Sequence, residues 1–318
     1  MTIPGLLPYE PVLPAHSVIE GEWWQAWNFD PHLLLPVGLM AFFYLRGLTR
    51  WPARSRDHSP WRTASYLAGL VLVVLLYESP LDRLGEHHFS LHMVQHSLAV
   101  MIVPPLILLG APTTPVLRGL PRGFRKAVVT PALNSRILQA VWGFLTQPVI
   151  AILLFSATMW AWHLMPGWYD RALNDRFVHD IQHVSFLVVG LIFWWNIVDP
   201  APRRSRVPMG LRIVYFYGAM VPKHFLAAMI TFADFVFYPT YEQVRLFLPG
   251  SPLQDQQLAG LLLWVPFGEA INLTTAAIIF TIWWRQSDRD QRAKDALRDA
   301  EIEAARDSER ETAMATGG

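Results

Sequence analysis

Seven apolar stretches, each long enough to cross a bilayer as a helix, dominate this chain. They fall at about 31–48, 63–79, 90–110, 147–165, 179–198, 211–231 and 256–284. A helix needs roughly 20 apolar residues to cross the hydrocarbon core. Inside lipid, every backbone N–H and C=O must find a partner within the protein, which leaves helices and closed barrels. Unbroken apolar runs of this length predict helices. Of the 318 residues, 53% are hydrophobic and only 16% charged, against about 25% charged in a typical soluble domain. The expected fold is all-α, a polytopic membrane helical bundle with seven transmembrane helices. The first stretch is interrupted by Pro36 and Gly38, and the last is long enough to tilt or to run past the bilayer.

The loops between these stretches alternate in charge. Arg46, Arg50, Arg54, Arg56 and Arg62 follow the first stretch, Arg118, Arg122, Arg125, Lys126 and Arg136 the third, and Arg203, Arg204, Arg206 and Arg212 the fifth. The other loops are acidic or mixed, with Glu78, Asp82, Arg83 and Glu86, then Asp170, Arg171, Asp175, Arg176 and Asp180, then Asp234, Glu242, Arg245 and Asp255. Basic loops stay on the cytoplasmic side, so the pattern predicts the N-terminus out and the C-terminus in. It divides the chain into an outer N-terminal segment (1–30), the membrane bundle (31–285) and a charged cytoplasmic tail (286–318), of which 288–312 reads as a solvated helix. Residues 1–30 contain no Lys or Arg, so the basic start of a cleavable signal peptide is not expected. Trp23, Trp24 and Trp27 read as an interfacial anchor. In the long connection from 111 to 146, the apolar residues Ile137, Leu138, Val141, Trp142 and Phe144 suit a segment lying along the inner interface.

With this topology, His88, His92, His96, His163, His179, His183 and His224 all fall in the outer half of the bundle. His88, His92 and His96 are spaced i, i+4, i+8, a stripe that drifts about 40° per step in a helix. His179 and His183 repeat the i, i+4 spacing. Ligand-forming residues inside a bundle are costly and mark a function by default, and two facing HxxxH pairs place four imidazoles at one depth. Imidazole suits copper, zinc, iron and nickel, and thioethers favour Cu(I). Met93, Met159, Met165 and Met220 lie at similar depth, and Asp180 and Asp255 are placed to orient a ligating imidazole. The chain has no cysteine, so disulfides, thiolate metal sites and covalent c-type haem are ruled out. Lys223 and Glu269 lie at mid-span, where a lone charge is expensive, and Lys223 is expected to form a buried ion pair with Glu269 or with Asp255. Pro104 and Pro105 are expected to break or kink the third span. Trp160, Trp162, Trp168 and Tyr169 read as an aromatic outer surface.

Three segments carry a family resemblance: HMVQHSLAVMIVPPLILLGAP (92–112), HDIQHVSFLVVGLIFWW (179–195) and DQQLAGLLLWVP (255–266). They resemble the CtaG family of multi-span cytochrome c oxidase (caa-type) assembly factors, over roughly residues 30–285. The resemblance implies a seven-span bundle in the bacterial cytoplasmic membrane that helps mature haem–copper oxidase by delivering or inserting copper. By position it carries His88, His92, His96, His179, His183 and Asp255 over as motif residues; His163 and His224 come from the depth argument.

The expected function is therefore that of a non-enzymatic assembly factor. It would bind copper in an outer-leaflet His/Met site and pass it on, with oxidase subunits, an outer copper carrier and the lipid bilayer as partners and no nucleic acid. Two alternatives use the same residues. A membrane di-metal iron oxidase or hydroxylase would recruit His87 as an eighth histidine. A b-type haem protein would use His96 and His183 as axial ligands. A scaffold without metal is the remaining reading.

Overall fold

A computed structural model describes residues 23–51, 58–200, 205–243 and 249–316, with side chains described to Glu301. The acidic start of the chain (1–22) and the loop residues Arg54, Arg56, Arg203, Arg204 and Arg245 lie outside the described residues. Among the described residues every regular element is helical. In chain order these are α1 (Pro31–Thr49), α2 (Pro60–Glu78), α3 (Pro80–His87), α4 (Phe89–Met101), α5 (Val103–Leu109) and α6 (Thr113–Gly119). Three short pieces follow: α7 (Arg122–Phe124), a π turn (Arg125–Val129) and α8 (Thr130–Asn134). Then come α9 (Arg136–Leu145), α10 (Pro148–Leu164), α11 (Trp168–Asn174), α12 (Arg176–Val198), α13 (Arg212–Phe232) and α14 (Thr240–Gln243). The chain ends with α15 (Pro252–Trp264), a second π turn (Val265–Ala270) and α16 (Ile271–Thr316).

Six helical segments are long and apolar enough to cross a membrane, and a seventh arises if the bent pair α9–α10 counts as one span. α9 and α10 meet at 69°, so the apolar stretch 137–144 runs across the bundle rather than along it. Its Ile137, Leu138 and Phe144 are exposed, as a helix lying on a lipid interface requires.

Helix starts are set by local chemistry. Asp30 caps α1 by accepting the His32 N–H, Asp175 caps α12 by accepting those of Phe177 and Val178, and Ser251 and Gln254 form a reciprocal capping box on α15. Each satisfies backbone donors that a helix start leaves orphaned. The Asp175 cap places His179 and His183 in the first two turns of α12.

Prolines divide two of the long segments. The third breaks at Ile102, just before Pro104 and Pro105, into α4 and α5. The last widens at Pro266, which has no N–H and crowds the preceding turn, into the π turn 265–270. That widening frees carbonyls, and the Lys223 ammonium from α13 takes two of them, Leu263 O at 3.2 Å and Phe267 O at 2.6 Å. The sequence-expected Lys223–Glu269 pair is thus replaced by a Lys223–carbonyl lock. The Glu269 carboxylate lies 3.6 Å from His224 Nε2 instead.

α12 packs along both α4 and α5, and α15 packs between α4 and α13. Close approach depends on Gly190, where an added Cβ would come 2.9 Å from Pro104 Cγ. The ridge of α1 crosses α6 so closely that a Cβ on Gly47 would overlap the Pro115 carbonyl. The main core gathers Phe155, Phe186, Phe193 and Phe216 around Met93, Met159 and Met220.

Candidate metal centre

The end of the bundle formed by the start of α4, the end of α10 and the start of α12 holds a buried histidine cluster. His92 (1% exposed), His96 (2%), His163 (3%) and His183 (6%) are all buried. Three histidines, His92 from α4 with His179 and His183 from α12, each offer a ligand atom within 4.8 Å of the others. His179 Nε2 and His183 Nε2 are 2.8 Å apart. One ring must share its proton with the other at that distance, and a cation replacing that proton would meet two nitrogens at once. Metal–imidazole bonds of about 2.0–2.1 Å hold neighbouring nitrogens roughly 3–3.5 Å apart. The His92 ligand atom lies within 4.8 Å of the other two, so the residues present fit an imidazole-bound cation.

Two tyrosines orient His92. The hydroxyls of Tyr241 and Tyr169 each lie 3.1 Å from His92 Nδ1. Tyr241 donates its own proton to the Gly85 carbonyl at 3.0 Å, so its oxygen is left to accept and Nδ1–H is the donor that fits. His92 Nε2 then presents a lone pair, and no hydrogen-bond partner meets it. Burial pushes both phenols well above their ordinary pKa, so they remain protonated. Such an outer hydrogen bond fixes the tautomer and orientation of a ligating imidazole. Tyr77 packs edge-on to the His183 ring, centroids 4.6 Å apart.

His96 and His163 extend the cluster inward. The His96 ring lies 4.2 Å from His92, 4.9 Å from His183 and 6.2 Å from His163 between centroids. His163 Nδ1–H donates to the Met159 carbonyl at 2.7 Å, which leaves Nε2 as a lone pair. Both nitrogens of His96, His163 Nε2 and His183 Nδ1 have no hydrogen-bond partner. Leaving a buried polar group unsatisfied costs about 1–3 kcal/mol, and a cation held among these ring nitrogens would supply a partner.

The remaining expected residues are placed elsewhere. His88 does not continue the stripe of His92 and His96. The helix breaks there, with His88 in an extended conformation (φ −129°, ψ 114°) as the cap of α4, and its Nδ1 faces Asp255 at 3.4 Å. Asp255 also accepts from the Ser90 amide and hydroxyl, so it anchors the α3–α4 break to α15. His224 lies beside the π turn, 3.3 Å from Asn272 Nδ2. Met93, Met159 and Met220 are packed in the apolar core, and Met165 is half exposed. Asp180 pairs with Arg176 at 3.3 Å on the surface. Tyr169, expected on an aromatic outer surface, is 1% exposed and stacks on Tyr238. His96 and His183 touch edge to face, and Phe186 sits 4.7 Å from His96, with no space for a macrocycle between the rings.

Outside the spans, the local electrostatics are acidic. Burial pushes the Asp82 carboxyl up, and carries Glu86 to about 7. The His32 backbone N–H holds Asp30 below its usual range.

Fold and site together define a multi-pass helical bundle of membrane-length helices with a buried polyhistidine cluster at one end. The sequence model of the cytochrome c oxidase caa3 assembly factors (Caa3_CtaG) matches residues 42–286. The chain belongs to that family. It is 30% identical over 294 residues to an uncharacterised protein of Mycobacterium bovis and, equally, to one of Mycobacterium tuberculosis, covering 87% of this chain and 43% of each relative. An uncharacterised protein of Mycobacterium leprae is 28% identical over 312 residues, covering 94% of this chain and 46% of its own length. The chain thus spans less than half the length of these relatives. No solved structure matches it.

Proposed function

We propose that this protein is a copper-handling assembly factor that binds a cuprous ion through His92, His179 and His183 and passes it to a subunit of a haem–copper oxidase. The observation that carries the reading is the convergence of three imidazoles, those of His92 and His183 buried and that of His179 partly so, with further unpartnered ring nitrogens beside them, in a chain of the caa3 assembly-factor family. Copper is cargo here. Imidazole nitrogen binds it, and the neighbouring cluster histidines His96 and His163 supply alternative ligands for its release, with no redox step required of the protein.

The same reading places seven spans in the bacterial cytoplasmic membrane, N-terminus out and C-terminus in. Arg46, Arg50, Arg118, Arg122 and Arg212 then cluster at the cytoplasmic end and the histidines open to the outer face. An outer copper carrier is the donor, and the oxidase subunit is the acceptor within the bilayer. His88 and Asp255 hold the outer ends of α4 and α15 together, and His224 with Glu269 stays apart from the ion.

Elemental analysis and absorption spectroscopy of detergent-purified protein after Cu(I) loading test this. Copper near one per chain, lost in the His92→Ala/His183→Ala double variant, is the expected result. Copper-free protein, or copper retained by that variant, overturns the proposal. Iron bound in its place returns the di-metal oxidase reading.

A further inference from the structure

A cavity of about 220 Å³ opens between the start of α1, the end of α2 and the first turns of α12. Its deep wall is His179 and His183, two members of the triad. Its remaining polar wall carries the four carboxylates Asp30, Glu78, Asp82 and Asp180 with Tyr77, Arg176 and His32, whose Nδ1 lies 3.0 Å from Asp30. Water-sized space of this extent holds several waters, or a cation travelling with some of them.

Asp30 and Asp180 are ion-paired, but no ion pair reaches Glu78 or Asp82 among the described residues. Glu78 is 1% exposed; its Oε2 accepts the Asp30 backbone N–H at 3.0 Å, and its Oε1 has no partner. Asp82 accepts only from neutral amides, Gln95 Nε2 at 2.8 Å and Asn28 Nδ2 at 3.2 Å. Arg176 sits at the mouth, 3.5 Å from Asp30 and 3.3 Å from Asp180. A cleft in which carboxylates outnumber cationic side chains, set in low-dielectric walls, concentrates cations. Carboxylate oxygen is a poor match for a soft cation, so its hold is brief, as passage toward imidazole demands.

We propose that this cavity is the entrance through which a metal cation reaches the histidine triad, with Glu78 as its transient oxygen ligand and Arg176 as the internal cation it displaces at the mouth. The inference rests on the histidine triad being the holding site, and it assigns a route where that reading assigns only a destination.

The test is stopped-flow transfer of Cu(I) from the coloured bicinchoninate complex to the full-length protein in detergent. The rate of colour loss reports access and the end point reports capacity. Glu78→Gln keeps an acceptor for the Asp30 amide and removes the charge. It is expected to slow loading about tenfold at unchanged end point. Val184→Trp, at an exposed wall position, adds bulk without touching a carboxylate and is expected to slow loading as well. Wild-type rates in both variants overturn the entrance. A changed end point with Glu78→Gln also overturns it, because Glu78 then belongs to the holding site. A wild-type protein that takes no copper at all refutes the triad itself, a failure distinct from a wild type that loads at rates both variants share.

Discussion

The two ends of the bundle both bury polar side chains, and they treat them in opposite ways. At the end near residues 196–215, Asn196 donates to the Thr146 carbonyl and accepts from Ser205. Arg212 donates to the Val207 and Ile197 carbonyls and to Asp199, and Tyr215 donates to Phe193 O. Every member has its partner, as stable buried networks do. At the histidine end, ring nitrogens of His92, His96, His163 and His183 and both polar atoms of Gln182 have none. A satisfied network holds helices together; an unsatisfied one holds ligand capacity in reserve. The difference separates structural from functional polarity more sharply than burial does, since Arg212 at 6% and His183 at 6% are equally buried.

The largest effect that sharpens this contrast is on metal. His92→Ala or His183→Ala is expected to abolish copper binding and lower oxidase activity while the protein stays in the membrane. His58, bonded to Tyr44 at the opposite end, serves as control. If His58→Ala costs as much copper as His92→Ala, in elemental analysis of the purified variants, the contrast between the two ends collapses.

The converse substitution acts on stability. Arg212→Ala takes the guanidinium away from Asp199, which keeps the Ser205 amide, and from two carbonyls, and losing a hydrogen bond to a charged group costs about 1.5–3 kcal/mol. Its thermal unfolding midpoint should fall well below wild type, with copper per folded chain unchanged. His96→Leu, which removes two nitrogens that bond nothing, should leave the midpoint of the copper-free protein equal or higher. A large loss in His96→Leu would mean the cluster is structural after all.

A smaller effect tests the orientation of the triad. Tyr241→Phe removes one hydroxyl from His92 Nδ1 and one hydrogen bond to Gly85. Outer partners of this kind are worth about 10–100-fold in metal affinity. The prediction is a weakening of that size in a Cu(I) competition titration, at unchanged stoichiometry. A loss of stoichiometry would make the phenol a ligand.

How far this was legible in the sequence follows from the range of the interactions involved. Apolar runs bounded by caps and prolines are local, so the stretch at 31–48 emerges as Pro31–Thr49 and that at 211–231 as Arg212–Phe232. The i, i+4 pair His179–His183 is local too, and the helix delivers it. His88 is different: its spacing fits a stripe, yet its backbone breaks where it meets Asp255, 167 residues away. Lys223 was visible as a buried charge, but its partners are carbonyls that exist only because Pro266 opens the helix. Tyr241 and Glu78 carried no signal beyond a loop tyrosine and a helix-end acid. Only the packing of α2, α11 and α14 around α4 and α12 brings them to the histidines.

The smallest predicted effect belongs to pH. Glu86 lies at the histidine end with no hydrogen bond to its Oε2, and burial raises its carboxyl from an ordinary 4.5 to about 7. A carboxyl raised in the folded state binds more protons folded than unfolded between those values. Stability therefore falls as pH rises from about 4.5 to about 7, and is flat outside that window. The side chain is 19% exposed and Arg83 stands 3.9 Å away, so screening keeps the effect on the order of 1 kcal/mol. Glu86→Gln stays neutral throughout. Its unfolding midpoint should match wild type near pH 4 and exceed it near pH 8, measured on copper-free protein in detergent. A wild-type midpoint that instead rises relative to Glu86→Gln across the window would show that the Arg83 ion pair outweighs burial, and would move Glu86 from the unsatisfied end of the comparison to the satisfied one.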